Sequence, residues 1–476
     1  MTDGISIDNA GTKRFVLLVT TLAAFLSPFG ISSVNIALPS IEKEFLMDAI
    51  LLSWVATAYL LTSAMFLVPF GKIADIYGRK RIFTYGVLIF TLASVGSAIS
   101  DSATMLICFR MLQGIGAAAT YCVGAALLTS VFPSRKLGRV LGINLAAVYV
   151  GYSAGPFLGG FLTHHFNWRS IFLVNVLFGL IILFLIFWKL KGEEHEAKEE
   201  KFDLLGSIIY SITLLLIMYG FSQLSTIRGV WLILPGALGI LAFVKWETKT
   251  ENPVLDINLF RNNRVFAFSN LAALINYSAT FAVTFLLSLY LQYIKKLTPE
   301  NAGLVLVSQP IVQAFFSPYA GRLSDRIEPR VVASIGMALT TIGLFLFIFL
   351  NEKTTLGFII TSLILLGFGF ALFSSPNTNA VMSSVENSLY GVASGTIGTM
   401  RMLGMVLSMG ITVLIFSIYI GKVQITSEYY SLFLRCVRVA FTFLTVLCFW
   451  GILASLARGD VRSNMTTLKS KQILFL

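Results

Sequence analysis

Charge is what this sequence has least of: 12% of its 476 residues are charged, against about a quarter in a soluble domain. With 56% hydrophobic residues, that scarcity excludes both an ordinary water-soluble globule and a disordered chain. Histidine and cysteine are sparse too, at three and four residues. Cys108 and Cys122 fall about 21 Å apart along one predicted helix, too far to bridge, and Cys436 and Cys448 lack ligand spacing. Neither a disulfide framework nor a metal is expected. His164 and His165 stand beside Asn167 and Trp168 at a helix end, where interfacial packing outweighs a metal or proton role. An integral-membrane enzyme needs a base, nucleophile or metal near the interface, and only His164, His165 and His195 are on offer, which leaves that class a remote alternative. The nucleotide-binding glycine–lysine motif is missing, as are charged rings and carbonyl filters, so neither ATP hydrolysis by this chain nor a channel is expected.

What is present is apolar length. Fourteen runs suit an all-α polytopic membrane protein: 15–38, 49–70, 82–99, 103–132, 137–163, 170–188, 204–224, 229–244, 265–294, 302–320, 331–350, 355–378, 391–420 and 432–457. The first follows Lys13 and Arg14, as a signal peptide would, but it is longer than such a segment and reads as a retained helix. An even count puts both termini on one side. With the N-terminus inside, 24 of the 35 Lys and Arg residues fall in inner segments and nine in outer ones, leaving Arg110 and Arg401 within spans. The net charge of +12 is thus topology, and no nucleic acid is required.

Polar interruptions set the organisation. Residues 1–14 form an N-tail, 15–188 six helices, 189–203 a linker, 204–244 an inserted helix pair, 245–264 a second linker, 265–457 six more helices, and 458–476 a C-tail. Both tails and both linkers are expected in the cytoplasm. GKIADIYGRK from Gly71 and GRLSDRIEPR from Gly321 share Gly-x-x-x-Asp, each after the second helix of a six-helix block. Two related halves are the usual construction of a secondary transporter.

Three segments carry mechanism. In GKIADIYGRKR, Gly71 and Gly78 permit a tight turn, Asp75 can accept hydrogen bonds from a helix N-terminus, and the cationic cluster suits the inner leaflet. A generic basic loop would not explain an Asp three residues before Gly-Arg-Lys. In CFRMLQGIGAAA, Arg110 lies about 10 Å into its span, a costly place, with Gln113 on the same helix face. In VGYSAGPFLGG, Gly151, Gly155 and Gly159 form a bare stripe for close packing, and Pro156 frees the carbonyl of Tyr152.

These segments together resemble the major facilitator superfamily. The resemblance implies a latch that opens and closes the inner face at Gly71, Asp75, Gly78, Arg79 and Lys80. A weaker second copy is implied at Gly321, Asp325 and Arg330, where Glu328 replaces the second glycine. It implies proton coupling at Arg110, with Gln113 and Gly114 beside it, and an antiporter motif at Gly151, Gly155, Pro156, Gly159 and Gly160. VNIALPSI from Val34, NWRSIFLVN from Asn167, PVLDINLF from Pro253 and Arg401 in GTMRMLG resemble the 14-helix drug:proton antiporter branch.

One departure stands out. Where that branch usually carries an Asp, five residues before Asn35, this chain has Gly30, and no Asp or Glu falls within the predicted spans. Proton exchange therefore rests on the resemblance alone. A cavity would depend on Asn35, Tyr59, Asn144, Tyr149, Asn276, Tyr290, Gln309, Gln313, Asn377 and the two arginines, favouring neutral or anionic amphiphiles over quaternary cations. The expected function is export of small amphipathic compounds across the cytoplasmic membrane by alternating access, in exchange for protons. The proton gradient is the energy source, with no cofactor and no bound metal, and the protein is expected as a monomer in the bilayer. The alternative is a facilitator or exporter of a specific anionic metabolite or lipid, without proton coupling.

Overall fold

A computed structural model describes residues 10–132, 134–189, 202–224, 226–250, 253–255, 257–386 and 389–459. Most of the expected 189–203 linker and of both tails lies outside the described residues. Among the described residues the chain is helical, with no strand, because a backbone in hydrocarbon must satisfy its own hydrogen bonds.

Six helices form the first bundle: α1 (Ala10–Phe45), α2 (Ala49–Tyr77), α3 (Arg79–Ala98), α4 (Ala103–Val131), α5 (Ser134–Phe166) and α6 (Arg169–Lys189). The inserted pair follows as α7 (Leu204–Ser222) and α8 (Ile227–Glu247). After the short α9 (Ile257–Asn262) come α10 (Arg264–Thr280), α11 (Ala282–Leu289), α12 (Pro299–Leu306), α13 (Ser308–Arg326), α14 (Pro329–Phe347), α15 (Leu356–Ser383), α16 (Tyr390–Tyr419) and α17 (Tyr430–Ala457). Short polar side chains start several of them: Asp48 accepts from the amide of Leu51, Asp203 from Gly206, Asn263 from Phe266, and Thr298 from Asn301.

Among the described residues, thirteen helices are long and apolar enough to cross a membrane. The remaining crossing, expected over 302–320, is two helices meeting at Val307. Pro310 has no N–H for the carbonyl of Leu306, and polar Gln309 and Gln313 follow the joint. The 265–294 span is also interrupted. It joins α10 to α11 at Phe281, where Ser408 of α16 accepts from the amide of Ala282 at 3.0 Å, and it ends in a π turn over Tyr290–Ile294.

Two six-helix halves result, with the inserted pair beside them. Tyr210 and Ser211 of α7 donate to the carbonyls of Ala64 and Met65 in the first half, and Ser417 of the second half donates to Ser222 of α7. The outer side of α8 shows Trp231, Leu238 and Leu241 to the surroundings, as a lipid-facing helix should. Both ends of the described chain lie on one face, together with the α2–α3 and α13–α14 turns. The guanidinium of Arg264 reaches the carbonyl of Ala457 there at 2.9 Å. We call this the terminal face and the opposite one the far face.

Candidate functional site

A cavity of about 1130 Å³ of empty space, including its mouth, separates the halves. From the first half, α1 offers Ser27, Ser32 and Asn35, α4 offers Tyr121, and α5 offers Tyr149, Tyr152 and Pro156. From the second half come Tyr277, Thr280 and Thr284, the paired amides Gln309 and Gln313, Phe370, and then Arg401, Met402 and Met405 of α16. Arg401 is the only charged residue in this lining. It donates to Thr378 Oγ1 at 2.6 Å, and its guanidinium stands 5.7 Å from the centre of the Tyr277 ring. Its Nε and the Oδ1 of Asn35 are buried without partners. Polar groups left free in an otherwise satisfied wall are what a ligand can pair with.

The cavity is shut on the far side. There Ser288 donates to the carbonyl of Asn35 at 2.7 Å, Gln292 to that of Ile36 at 2.9 Å, and the amide of Ala49 to Val423 at 3.0 Å, each bond joining the two halves. His165 stands 3.4 Å from Glu300 across the same seam. Glycines make the seam tight: a Cβ on Gly303 would lie 2.1 Å from the carbonyl oxygen of Pro156, and one on Gly160 would lie 2.5 Å from that of Pro299. Toward the terminal face the packing loosens. A Cβ on Gly142, Gly391 or Gly395 would meet nothing within 4 Å.

Comparison with known proteins decides the family. The sequence model of the Major Facilitator Superfamily matches residues 20–409 and 269–472. The chain belongs to the major facilitator superfamily. It is 31% identical over 395 residues to the riboflavin transporter RibZ of Clostridioides difficile, covering 83% of this chain and 86% of that protein. It is 32% identical over 402 residues to the multidrug resistance protein Stp of Mycobacterium tuberculosis, covering 83% and 74%. Among solved structures, a bacterial homologue of the human lysosomal transporter Spinster, inward-facing and occupied, shares the fold with a TM-score of 0.64. That match has 15% identity and covers 94% of this chain and 97% of that one.

The superfamily's motif residues can now be placed. Asp75 Oδ1 accepts from Arg79 Nε at 3.0 Å and Nη2 at 2.9 Å, and Arg79 also reaches the carbonyl of Ala126 on α4. All these bonds lie within the first half. The expected turn is narrower than the sequence suggested: α2 continues to Tyr77, so Gly71 sits inside a helix with open space around it, and Gly78 alone bends the chain at φ +100°. Asp75 accordingly accepts from a side chain rather than from a helix N-terminus. Lys80, the second residue of α3, lies beside Val16 and Thr20. In the second copy a Cβ on Gly321 would press on Ser375, Asp325 accepts from Asn379 at 3.4 Å, and Arg330 lies in the first turn of α14.

Arg110 is fully buried and does not reach out to the interface. It donates to the carbonyl of Val55 and to Gln113, which donates in turn to Ser94, and it stacks 4.4 Å from the centre of the Tyr59 ring. Gly114 admits α2, since a Cβ there would lie 2.3 Å from the carbonyl of Tyr59. Gly151, Gly155 and Gly159 press α5 onto α1 within the first half, where a Cβ on Gly155 would lie 1.8 Å from Ser32 Oγ. Pro156 and Gly160 face the second half instead.

Of the residues expected in the cavity, Asn35, Tyr149, Gln309, Gln313 and Arg401 line it. Tyr59 does not, because it turns to Arg110 and bonds Ser27 at 2.6 Å. Asn144 donates to the carbonyl of Thr20, Asn276 is buried away from the cavity, Tyr290 bonds the carbonyl of Asn351, and Asn377 receives Arg458 at 3.1 Å. Missed were Tyr121, Tyr152 and Tyr277. Tyr149, Tyr152 and Pro156 recur at helical spacing, and that face could have been read from the sequence. Gly30 is off the cavity too, facing Asn175 of α6, which is buried with both amide atoms unpartnered.

Proposed function

We propose that this transporter exports planar, neutral or anionic amphipathic compounds across the cytoplasmic membrane by alternating access, in exchange for protons. One observation carries the substrate class: a cavity walled by four tyrosines, three side-chain amides and a single cation, with no carboxylate in its lining to hold a cationic drug. The riboflavin transporter among the relatives supports a planar substrate. The glycine-tight seam beside Pro156 supports rocking of two rigid halves. The basic bias of the terminal face supports its placement in the cytoplasm.

In everted vesicles, an imposed pH gradient should drive accumulation of such a compound and a protonophore should abolish it. Uptake indifferent to both would leave the second reading, a facilitator or exporter of an anionic metabolite or lipid, which the lone Arg401 favours. A binding panel with one aromatic core bearing cationic, neutral or anionic groups should rank the cation last. Tightest binding of a dication would refute the substrate class.

We also assign the Asp75–Arg79 pair to the latch. Asp75→Asn should lower transport by roughly tenfold with little loss of stability, because the pair is exposed and contributes about 1 kcal/mol or less to folding. Initial export rates beside thermal melts would check this. Full transport in that variant would remove the assignment.

A further inference from the structure

The sequence left the membrane spans without a carboxylate, but the fold buries one at the seam. α1 runs on to Phe45 and carries Glu42 into the far-face contact, where it is 3% exposed. Its Oε1 accepts the amide of Ile425 at 3.1 Å, from the segment that joins α16 to α17 in the opposite half. The neighbouring bond from Ala49 to Val423 spans the same two partners. The charged or titratable groups on the segments around it are Lys43, Glu44 and Asp48 on one side, and Lys295, Lys296, Lys422 and Glu428 with the phenols of Tyr290, Tyr293, Tyr429 and Tyr430 on the other. Glu44 pairs with Arg169, Asp48 caps α2, and Lys295 donates to a backbone carbonyl. Glu42 makes no ion pair among the described residues. The other buried carboxylate among them, Glu247, stays with the inserted pair and accepts from Leu255.

We infer that Glu42 is a pH-sensitive gate of the transport cycle: it takes up a proton from the far compartment as the far face shuts and returns it there when the halves part, biasing the shut state without itself carrying charge across the membrane. An ionised carboxylate excluded from water without a cation is costly, whereas the neutral acid still accepts from the Ile425 amide. Opening hydrates both groups and removes the cost of ionisation. The shut state therefore binds one proton more than the open one. The shut-to-open ratio should rise on acidification, by at most about tenfold per pH unit for one proton. This rests on the alternating-access reading, and it supplies that reading with a titrating group at the moving interface.

Hydrogen–deuterium exchange on the full-length protein in lipid nanodiscs tests it. Exchange of the 421–429 segment is normalised to the far-face turn 351–355, which stays within one half. His165 also faces Glu300 across the same seam, so all chains carry His165→Gln to remove that contact. With Glu42 intact, protection of 421–429 should rise at least about fivefold from pH 8 to pH 6, within the single-proton limit. Glu42→Gln, which keeps the acceptor and cannot ionise, should be protected equally at both. A pH response that survives Glu42→Gln, or one absent while Glu42 is intact, overturns the proposal. Riboflavin, the substrate named for a relative, and a matched anionic aromatic amphiphile are the ligand probes. If neither ligand nor pH moves exchange at the seam, alternating access itself fails. If a ligand moves it while pH does not, only the role of Glu42 fails.

Discussion

Arg401→Ala is expected to weaken binding of an anionic amphiphile by about 2–4 kcal/mol, roughly 30- to 1,000-fold in Kd. The guanidinium is the only charge in the cavity lining, it is anchored by Thr378 on one side, and it keeps Nε buried and unpaired. A ligand acid would complete that group. Removing it leaves the ligand's charge in an aromatic, poorly hydrated chamber with nothing to meet it. A neutral compound with the same core should lose less than about tenfold, having only stacking and amide contacts at stake. Arg401→Lys should fall between, keeping the charge and losing the planar fork. Calorimetric titration of purified protein with matched anionic and neutral ligands checks the series. An anion held within about threefold of its original affinity by Arg401→Ala would exclude this residue as the anchor.

Gly303→Val should abolish more than about 90% of transport while leaving a folded, membrane-inserted protein. The first added carbon would stand 2.1 Å from the carbonyl oxygen of Pro156, and backbone cannot swing aside as a side chain does. Because Pro156 belongs to the other half, the strain is relieved by parting the halves at the far face, so the variant should favour the far-open state. Gly160→Val, 2.5 Å from the carbonyl of Pro299, should act alike. Gly155→Val makes the contrast. Its clash with Ser32 is internal to the first half, so stability should fall by several kcal/mol without a shift in gating. Gly391→Ala, in open space, should be neutral or slightly stabilising, as alanine is the better helix former. Export assays, thermal melts and protection of 421–429 would separate the three outcomes. Normal transport by Gly303→Val would mean that the seam does not close in the working cycle.

Much was legible in the sequence because the signals are local. Apolar length marks a crossing wherever it occurs. Gly78 could be assigned to a turn because its positive φ is a local demand. Gly71 was misjudged by the same argument, since a glycine in a tight-turn motif can equally continue a helix. Tyr59 and Asn144 were misplaced for another reason: polarity within a span shows that a side chain needs a partner, not which neighbour supplies it. Tyr59 found Arg110, and Asn144 found the backbone of Thr20. Glu42 lies four residues beyond the expected 15–38 span, and the opposite half closes over it.

The sequence by itself determined a helical membrane protein of two six-helix halves with an inserted pair. That follows from chain-local requirements: backbone hydrogen bonds must close within each span, and charges must stay out of hydrocarbon. Only the tertiary structure decided which tyrosines surround Arg401, that the glycine stripe of α5 serves α1 while Pro156 and Gly160 serve the other half, and that a carboxylate is buried at the far face. Each of these depends on how helices distant in sequence rotate and dock against one another. That choice is set by packing across the bundle, and no single helix encodes it.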